Sequence, residues 1–281
     1  MLLETGDQPF NDDRYLFEPK IDGHRLILSH RNGQTKLYTR YQNECTRQYP
    51  ELLRVPTNDD VILDGEVACI DPDTGEICLE SVMERFRTTK QTKIQYAYKT
   101  QPVHFVAFDI LSHNGRDLRR LPLAERKVIL NEVLEDNHYF SKSMVVDGRG
   151  TELFRLIQER NMEGIVAKRK DSIYVSKRSN QWVKIINWQY ADVYIAGYRR
   201  KEFGWLAAVP TADGQMRTAG VIELGVTPEQ KRAFYGVCKH LVIGEDNHFV
   251  HLDPRIRAKV KIRNWTRSGM LRSPAFVEFA L

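Results

Sequence analysis

Apolar and polar residues alternate along most of the first half of the chain. A two-residue period of this kind indicates β-strands that bury one face. Helical spacing of the apolar residues interrupts the alternation in three places, one of them directly after the candidate N-cap Thr151. We therefore predict a strand-rich first half with helices over 79–87, 122–135 and 151–160.

Beyond Trp188 the pattern changes to shorter strands, such as 193–198 and 220–224. One helix is predicted among them, over 228–241, because Thr227-Pro228-Glu229-Gln230 combines a capping box with proline at the first helical position. Short strands with one helix in about ninety residues are typical of a five-stranded OB barrel. The change in pattern predicts a domain boundary near 188–190.

Composition adds little to this picture. The 281 residues suffice for two modest domains, and 42% hydrophobic with 28% charged residues is typical of globular proteins. The formal net charge of +5 suits a polyanionic partner, although excess positive charge alone is weak support. No signal peptide and no apolar run of about 18 residues are found, so we expect no membrane association.

The cysteines and histidines show no metal-binding pattern. Cys45, Cys69, Cys78 and Cys238 form no C-x-x-C pair, and the eight histidines lack ligand spacing, so no zinc site is predicted. Scattered cysteines are typical of reduced thiols, and we therefore expect a cytoplasmic protein.

The strongest chemical signal is the hexapeptide Lys20-Ile21-Asp22-Gly23-His24-Arg25, which has the pattern K-x-D-G-x-R. A lysine in such a place can attack a nucleotide if cations or desolvation favour its neutral amine and a metal shields the phosphates. Alone, the hexapeptide indicates a surface turn more than a nucleophile, because Asp-Gly is a strong turn dipeptide and the flanking Lys and Arg suit an exposed hairpin.

Four further runs follow the hexapeptide in a fixed order, and each places polar residues at the end of strand-like text. They lie at 61–67 with Asp64-Gly65-Glu66, at 103–111 with Phe108-Asp109, at 162–169 with Glu163-Gly164, and at 181–186 with Trp182 and Lys184. Together the five signatures resemble the covalent nucleotidyltransferase superfamily. Within it they are most similar to ATP-dependent DNA ligases, especially the compact ligase module of bacterial end-joining proteins.

The resemblance covers nearly the whole chain and implies an α+β architecture. A nucleotidyltransferase domain of the ATP-grasp-like, DNA ligase type is expected over 1–188 as the adenylation domain. An OB-fold β-barrel domain is expected over 189–281.

The resemblance also implies roles for single residues. Lys20 would take AMP, Glu18 would read the edge of adenine, and Phe108 would stack on the base. Asp22 and Arg25 would act at the nick.

Further implied roles concern the phosphates and the metal. Arg40 would hold the ribose and the 5′-phosphate, and Lys184 would touch the α-phosphate. Glu66 and Glu163 would be the metal-side carboxylates, which suits Mg²⁺, with Mn²⁺ as an alternative. Lys168 is a conditional member of the site, and Lys168 and Lys184 would both favour the neutral amine of Lys20.

Taken singly, these residues have ordinary structural interpretations. Phe108 would be a core residue, Glu66 and Glu163 would be turn residues, and Arg40 and Lys168 would be surface charges. Their joint order favours the functional interpretation.

Two positions depart from the family pattern. Ile186 stands where the family usually has a second lysine after the tryptophan, so one phosphate contact is expected to be missing or replaced. The run from Met270 to Phe276 resembles the last motif of the family through Arg272, but Ala280-Leu281 stands where an arginine is expected. We expect this ending to slow the first chemical step.

The sequence thus predicts an ATP-dependent DNA ligase that seals 5′-phosphate/3′-hydroxyl nicks through a lysyl-AMP intermediate, in DNA repair or end joining. Nicked double-stranded DNA is the expected partner, with an end-bridging protein or a fused polymerase domain as further candidates. Two alternatives stay open. One is an RNA capping guanylyltransferase or RNA ligase of the same superfamily, and the other is a non-catalytic DNA end-binding module.

Overall fold

The computed structural model of the protein describes residues 1–71 and 75–280. The chain divides into two compact units, Met1–Asn187 and Trp188–Leu281. The strands of the first unit are β1 (Leu2–Gly6), β2 (Asn11–Pro19), β3 (His24–Arg31), β4 (Gln34–Thr39), β5 (Val61–Cys69), β6 (Val103–His113), β7 (Arg116–Asp117), β8 (Phe140–Lys142), β9 (Val146–Arg149), β10 (Gly164–Arg169) and β11 (Arg178–Ile186). Its helices are α1 (Leu79–Arg87), α2 (Gln91–Thr100), α3 (Leu123–Val133) and α4 (Gly150–Glu159).

These strands form two sheets. Sheet I has the strand order β1-β11-β10-β2-β9, and sheet II has the order β4-β3-β5-β6-β7 with β8 beside β6. Phe17 and Ile165 of sheet I pack with Leu153 and Ile157 of α4 in one buried cluster. Sheet II covers a larger core that includes Leu26 of β3. Each sheet therefore packs against its own hydrophobic core. Strand residues that do not face these cores can be polar.

The predicted helices of the first unit are largely confirmed. The helix over 79–87 is α1, and those over 122–135 and 151–160 are α3 and α4 with ends shifted by one or two residues. Thr151 as N-cap is wrong, because α4 begins one residue earlier and the Thr151 hydroxyl donates to Asn11 Oδ1 at 2.8 Å. Helix α2 was not predicted, since Ile94 is its one buried residue and it shows no apolar stripe.

The second unit is built on one antiparallel sheet. Its elements are β12 (Gln189–Arg199), β13 (Trp205–Pro210), β14 (Met216–Ile222), α5 (Pro228–Val237), β15 (Val242–Glu245), β16 (Phe249–Leu252), β17 (Arg257–Ile262) and β18 (Ala275–Ala280). The order is β14-β13-β12-β16-β15, while β17 pairs with both β12 and β18. The hairpin β15–β16 is additional to the five strands that the sequence predicts. Leu281 lies outside the described residues.

The segment that follows β14 approaches β18 through an isolated bridge outside the regular strand pairing. Leu224, two residues after β14, forms an isolated parallel bridge with Ala275 of β18, and its carbonyl accepts from the Phe276 amide at 2.8 Å. Trp205 of β13 packs against Phe234 of α5, with ring centroids 4.5 Å apart. The ladder β14-β13-β12-β17-β18 thus curves around a shared aromatic core.

The capping box before α5 is confirmed. The Thr227 hydroxyl accepts from the Gln230 amide, and the Gln230 side chain accepts from the Thr227 amide at 2.8 Å. The helix ends at Val237 and continues as a 3₁₀ turn over Cys238–Leu241, within the predicted range of 228–241.

We predict that Thr227→Ala lowers the free energy of unfolding by about 1 kcal/mol, because the first turn of α5 loses a hydrogen-bond acceptor. Chemical denaturation of both proteins would measure this difference. Thr227→Ser keeps the acceptor and should remain close to wild type. Equal losses in both variants would show that the cap is not the cause.

Candidate active site

Strand pairing in sheet I aligns polar residues in rows across β2, β10 and β11. Glu18, Val166 and Lys184 lie opposite one another. Two residues along the strands, Lys168 lies opposite Trp182 in the same way. Because directly opposed residues project from the same face and side chains alternate along a strand, both rows share one face of the sheet.

Sheet II contributes a second set of side chains. Arg25 of β3 lies opposite Glu66 of β5. Between β5 and β6 the register shifts, because Asp64 pairs with Asp109 whereas the next residue pairs with Ala107. Phe108 is therefore the extra residue of a β-bulge, a feature that commonly redirects a side chain.

The two sets meet in one pocket of the first unit. Six of the predicted site residues line it, three from sheet I or the turn after β2 and three from sheet II. The described lining residues are Leu3, Glu18, Pro19, Lys20, Ile21, Arg25, Glu66, Phe108, Ser143, Val166, Lys168 and Trp182.

Two glycines follow acidic residues where the strands approach closely. Gly164, after Glu163, has φ +150°, and a Cβ there would lie 2.1 Å from the Ile185 carbonyl oxygen. A Cβ on Gly23, after Asp22, would lie 2.1 Å from the Val67 carbonyl oxygen. Only glycine fits such contacts, which explains the Asp-Gly and Glu-Gly pairs of the sequence.

Lys20, directly after β2, is held by an ion pair. Its Nζ donates to Glu163 Oε2 at 2.7 Å, and its amide donates to the Gly164 carbonyl at 2.8 Å. The lysine side chain is 19% exposed and the glutamate 3%, so the pair can be reached from the pocket. Ile186 of β11 is buried and pairs with Gly164 of β10, the residue whose carbonyl accepts from the Lys20 amide. An apolar residue therefore stands across β10 from Lys20.

Glu18 is buried between two lysines. Lys168 Nζ lies 2.8 Å from its Oε2, and Lys127 Nζ of α3 lies 2.6 Å from its Oε1. Burial acts to raise the pKa of Glu18, but the two ammonium groups lower it overall. Burial lowers the pKa of Lys168 to about 8, with Glu18 opposing the shift and Lys127 adding to it. Lys168 Nζ also lies 4.4 Å from the ring centroids of Phe108 and Trp182.

Arg25 is oriented by a buried acid. Its Nε donates to Asp64 Oδ1 at 2.9 Å and its Nη2 to Asp64 Oδ2 at 2.5 Å, while the Tyr174 hydroxyl donates to the same Oδ2 at 2.8 Å. Burial acts to lower the pKa of Arg25, but Asp64 raises it overall, so the guanidinium stays charged. It lies 5.4 Å from the Phe108 ring centroid.

Glu66 is disfavoured in its charged form. Burial raises its pKa to about 8, although Lys20 and Arg25 oppose this shift, and the negative charges of Glu163 and Asp64 add to it. A divalent cation would relieve this repulsion.

Oxygen ligands of this kind suit magnesium, which binds through one or two carboxylates together with substrate phosphates. No group of three or more His, Cys, Asp or Glu side chains suited to a metal occurs within 1–71 and 75–280. Because magnesium takes one or two carboxylates from the protein in such sites, Glu66 and Glu163 are of the residue type that an ion shared with a nucleotide needs.

Asp22, Lys184, Arg40 and Arg272 are not among the described residues that line this pocket. Asp22 is in the turn between β2 and β3, and Lys184 shares the face of Glu18. Arg40 is exposed after β4, where its guanidinium lies 4.6 Å from the Tyr41 ring centroid and donates to the Tyr41 hydroxyl. Arg272 is in the second unit, where its backbone pairs with Arg263 and Asn264.

Sequence reasoning missed three residues that contact this set, namely Asp64, Lys127 and Tyr174. A signal existed for two of them. Asp64 interrupts an apolar strand, and Lys127 lies on the buried face of α3 between Leu123 and Leu130.

Residues 5–185 match the protein family described as ATP dependent DNA ligase domain. The chain belongs to the ATP-dependent DNA ligase family. It is 38% identical over 277 residues to the SPbeta prophage-derived DNA ligase-like protein LigB of Bacillus subtilis, covering 98% of this chain and 96% of that protein. It is 28% identical to the multifunctional non-homologous end joining protein LigD of Mycolicibacterium smegmatis, covering 98% of this chain but 37% of LigD.

Solved structures agree in fold. The ligase-family chain aligns with mycobacterial DNA ligase D complexed with ATP and MES at a TM-score of 0.58 and 23% identity, covering 99% and 93% of the two chains. A Lig E DNA ligase aligns at a TM-score of 0.65 and 17% identity over 100% of both chains. The predicted resemblance is thereby confirmed. Among the helices that the structure describes, none has the length and apolar character needed to cross a membrane.

We predict that Glu66→Gln makes the ligase-family chain more stable above pH 5 in the absence of divalent metal. The pKa of Glu66 is about 8 in the folded chain against an ordinary value of 4.5, so the folded state binds the extra proton between these values. The wild-type free energy of unfolding therefore falls as pH rises through this window, by at most about 1.4 kcal/mol per pH unit. Glutamine has no such dependence.

Urea denaturation from pH 5 to 8 in a chelator would measure the difference between the two proteins. Glu132→Gln, on the exposed side of α3, is the matched control and should show a constant difference. A pH-independent difference for Glu66→Gln would contradict the prediction.

Proposed function

We propose that this enzyme seals 5′-phosphate/3′-hydroxyl nicks in double-stranded DNA through a lysyl-AMP intermediate on Lys20. The observation that supports this most is the pocket in which Lys20, paired with Glu163, lies with Glu66, Phe108 and Glu18. A nucleophile, carboxylates and an aromatic ring in one cavity are the groups that nucleotidyl transfer needs.

In the first step the Lys20 amine attacks the α-phosphorus of ATP. An N–P bond forms, the bond from that phosphorus to the bridging oxygen breaks, and pyrophosphate leaves with the electron pair. Lys20 must first lose the proton that Glu163 stabilises as an ion pair at 2.7 Å, and this proton passes to solvent, which reaches the partly exposed lysine. Lys184 stabilises the charge that develops on the α-phosphate, and Ile186 leaves this region with one lysine fewer than the family pattern has.

The base is held at the inner end of the pocket. Phe108 provides a flat surface for the purine, and Glu18 accepts a hydrogen bond from the adenine amino group. Arg40, at the exposed end of β4, binds the ribose and the 5′-phosphate.

Glu66 and Glu163 would hold the Mg²⁺ ion, or Mn²⁺ in its place. When bound, the ion neutralises phosphate charge and polarises the reacting phosphoryl group. Without the ion, Glu163 orients Lys20 through its ion pair, and the negative charge of Glu163 disfavours ionisation of Glu66.

The later steps take place on DNA. AMP passes from Lys20 to the 5′-phosphate of the nick, and the 3′-hydroxyl then attacks that phosphate and expels AMP. Arg25, fixed by Asp64, binds the 5′-phosphate, and Asp22 acts beside it.

Each unit has a proposed part in this reaction. Residues 1–188 form the adenylation domain. Residues 189–281 form an OB-fold domain that binds duplex DNA, an assignment supported by the ladder whose outer strands meet at Leu224 and Ala275. Arg272 belongs to this domain and would orient the leaving pyrophosphate.

The proposed context is DNA repair or end joining, because the LigD relatives are named for end joining. The chain spans little more than a third of those LigD proteins, so an end-bridging protein or a polymerase domain is a candidate partner rather than part of the described fold. The four cysteines are free thiols, which supports a cytoplasmic location.

We predict that incubation with ATP and Mg²⁺ adds one AMP to the protein and that Lys20→Ala abolishes this addition. Intact mass would measure it. Lys20→Arg keeps the charge beside Glu163 but is not nucleophilic, so it should also stay unlabelled while remaining folded.

Other outcomes would redirect the assignment. Labelling of the alanine variant would show that another residue is the nucleophile. Labelling by GTP in place of ATP would favour a guanylyltransferase. A wild-type protein that binds DNA ends without labelling would favour the non-catalytic alternative.

We predict that Glu163→Gln slows adenylation on the order of 10²-fold and raises the Mg²⁺ concentration needed for half-maximal rate. The substitution removes the charge that pairs with Lys20 and one proposed metal-side oxygen. Single-turnover labelling across a Mg²⁺ series would measure both quantities. Glu159→Gln, exposed at the end of α4, is the matched control and should behave as wild type. An unchanged Mg²⁺ dependence in Glu163→Gln would exclude Glu163 as a metal-side acid.

A further inference from the structure

Glu18 has two lysine partners that approach it from different directions. Lys168 of β10 lines the nucleotide pocket and lies 2.8 Å from Oε2. Lys127 of α3 lies 2.6 Å from Oε1 and lines a neighbouring cavity together with Lys142 and Lys170. The carboxylate therefore has one cation on the pocket side and one behind it.

All three groups are almost fully buried. Glu18 is 2% exposed, Lys127 is 7% exposed and Lys168 is 3% exposed. Lys127 stands on the apolar face of α3, four residues after Leu123 and three before Leu130, both of which are buried. A lysine on such a face is costly unless its charge is paired, so the pairing with Glu18 accounts for its presence there.

The pocket-side cation competes with a bound base. Lys168 Nζ lies 4.4 Å from the Phe108 ring centroid, on the ring against which the purine is proposed to stack. A purine stacked on the face that Lys168 covers would take the place of the ammonium group. Glu18 would then be a buried carboxylate that has lost one cation, and Lys127 is the cation that remains.

We propose that Lys127 is a positioning residue for purine recognition, which holds Glu18 ionised and oriented toward the base after Lys168 has moved. This proposal rests on the nucleotide-binding function proposed above. An ionised Glu18 accepts a hydrogen bond from the amino group of adenine, whereas the corresponding O6 of guanine is itself an acceptor. Lys127 acts through Glu18 and contacts no reacting atom.

The test compares Lys127→Met, Lys127→Arg and wild type as full chains, with adenylation and guanylation followed by intact mass over a series of ATP or GTP concentrations. We expect Lys127→Met to raise the KM for ATP about tenfold, to change the rate at saturating ATP by less than about threefold, and to lower the preference for ATP over GTP. Lys127→Arg keeps the charge, so its KM for ATP and its preference for ATP over GTP should stay close to those of wild type.

Lys170→Met is the matched control. Lys170 lines the same neighbouring cavity, but its ion pair is with Asp147 at 2.6 Å, so the same substitution there should leave KM and the ATP preference unchanged. An equal effect in Lys170→Met would show that charge in the cavity, rather than contact with Glu18, is responsible, and would overturn the proposal.

A double variant separates a positioning role from a purely structural one. In a Glu18→Gln background the side chain at position 18 is neutral and needs no cation, so adding Lys127→Met should have little further effect on KM. This comparison also decides the matter if Lys127→Met alone does not fold. Equal effects in both backgrounds, or a loss of maximal rate without a change in KM, would overturn the proposal.

Failure of the proposed function has a different signature. A wild-type chain that takes up neither AMP nor GMP would overturn both proposals together. A wild-type chain that is adenylated, with a folded Lys127→Met variant that matches it in KM and in ATP preference, would overturn the role of Lys127 alone.

Discussion

A charged side chain buried between two β-sheets is stable only beside an opposite charge, and this constraint organises the first unit. Arg126 and Asp109, which do not line the pocket, pair at 2.8 Å with neither side chain exposed, and these groups join α3 to β6. Lys20 and Glu163 obey the same rule, but Lys20 is partly exposed. A phosphate can reach Lys20 and take the place of Glu163, whereas neither member of the Arg126–Asp109 pair is exposed to one.

The backbone decides where such exchange is possible. A Cβ at Gly23 or Gly164 would collide with a neighbouring strand, so the chain beside Asp22 and Glu163 packs more closely than other residues allow. The bulge at Phe108 interrupts the ladder between β5 and β6 at the level of Asp64. Close packing at two points and a local break at a third accompany a pocket that residues of both sheets line.

Much of this arrangement could be predicted from the sequence, for a physical reason. Lys20, Glu66 and Glu163 stand in short signatures because the nucleophile and oxygen ligands proposed here must be of particular residue types. Partners that act through packing leave weaker signals. Lys127 looks like an ordinary helix residue until α3 is placed against β2, and α2 escapes prediction because Ile94 is its single buried residue.

The order of strands in sheet I affects how the protein is made. Strand β10 lies between β2 and β11, although β2 is near the start of the chain and the other two strands come much later. The residues of the Lys20–Glu163 pair are 143 positions apart, and those of the Glu18–Lys168 pair are 150 apart. During synthesis, Glu18 and Lys20 emerge long before these counter-ions exist, so nascent β2 is a strand without its neighbour. Contacts between residues so far apart in sequence slow folding and leave strand edges exposed until the partner strands are made. Sheet I therefore cannot form fully until β10 and β11 have been synthesised.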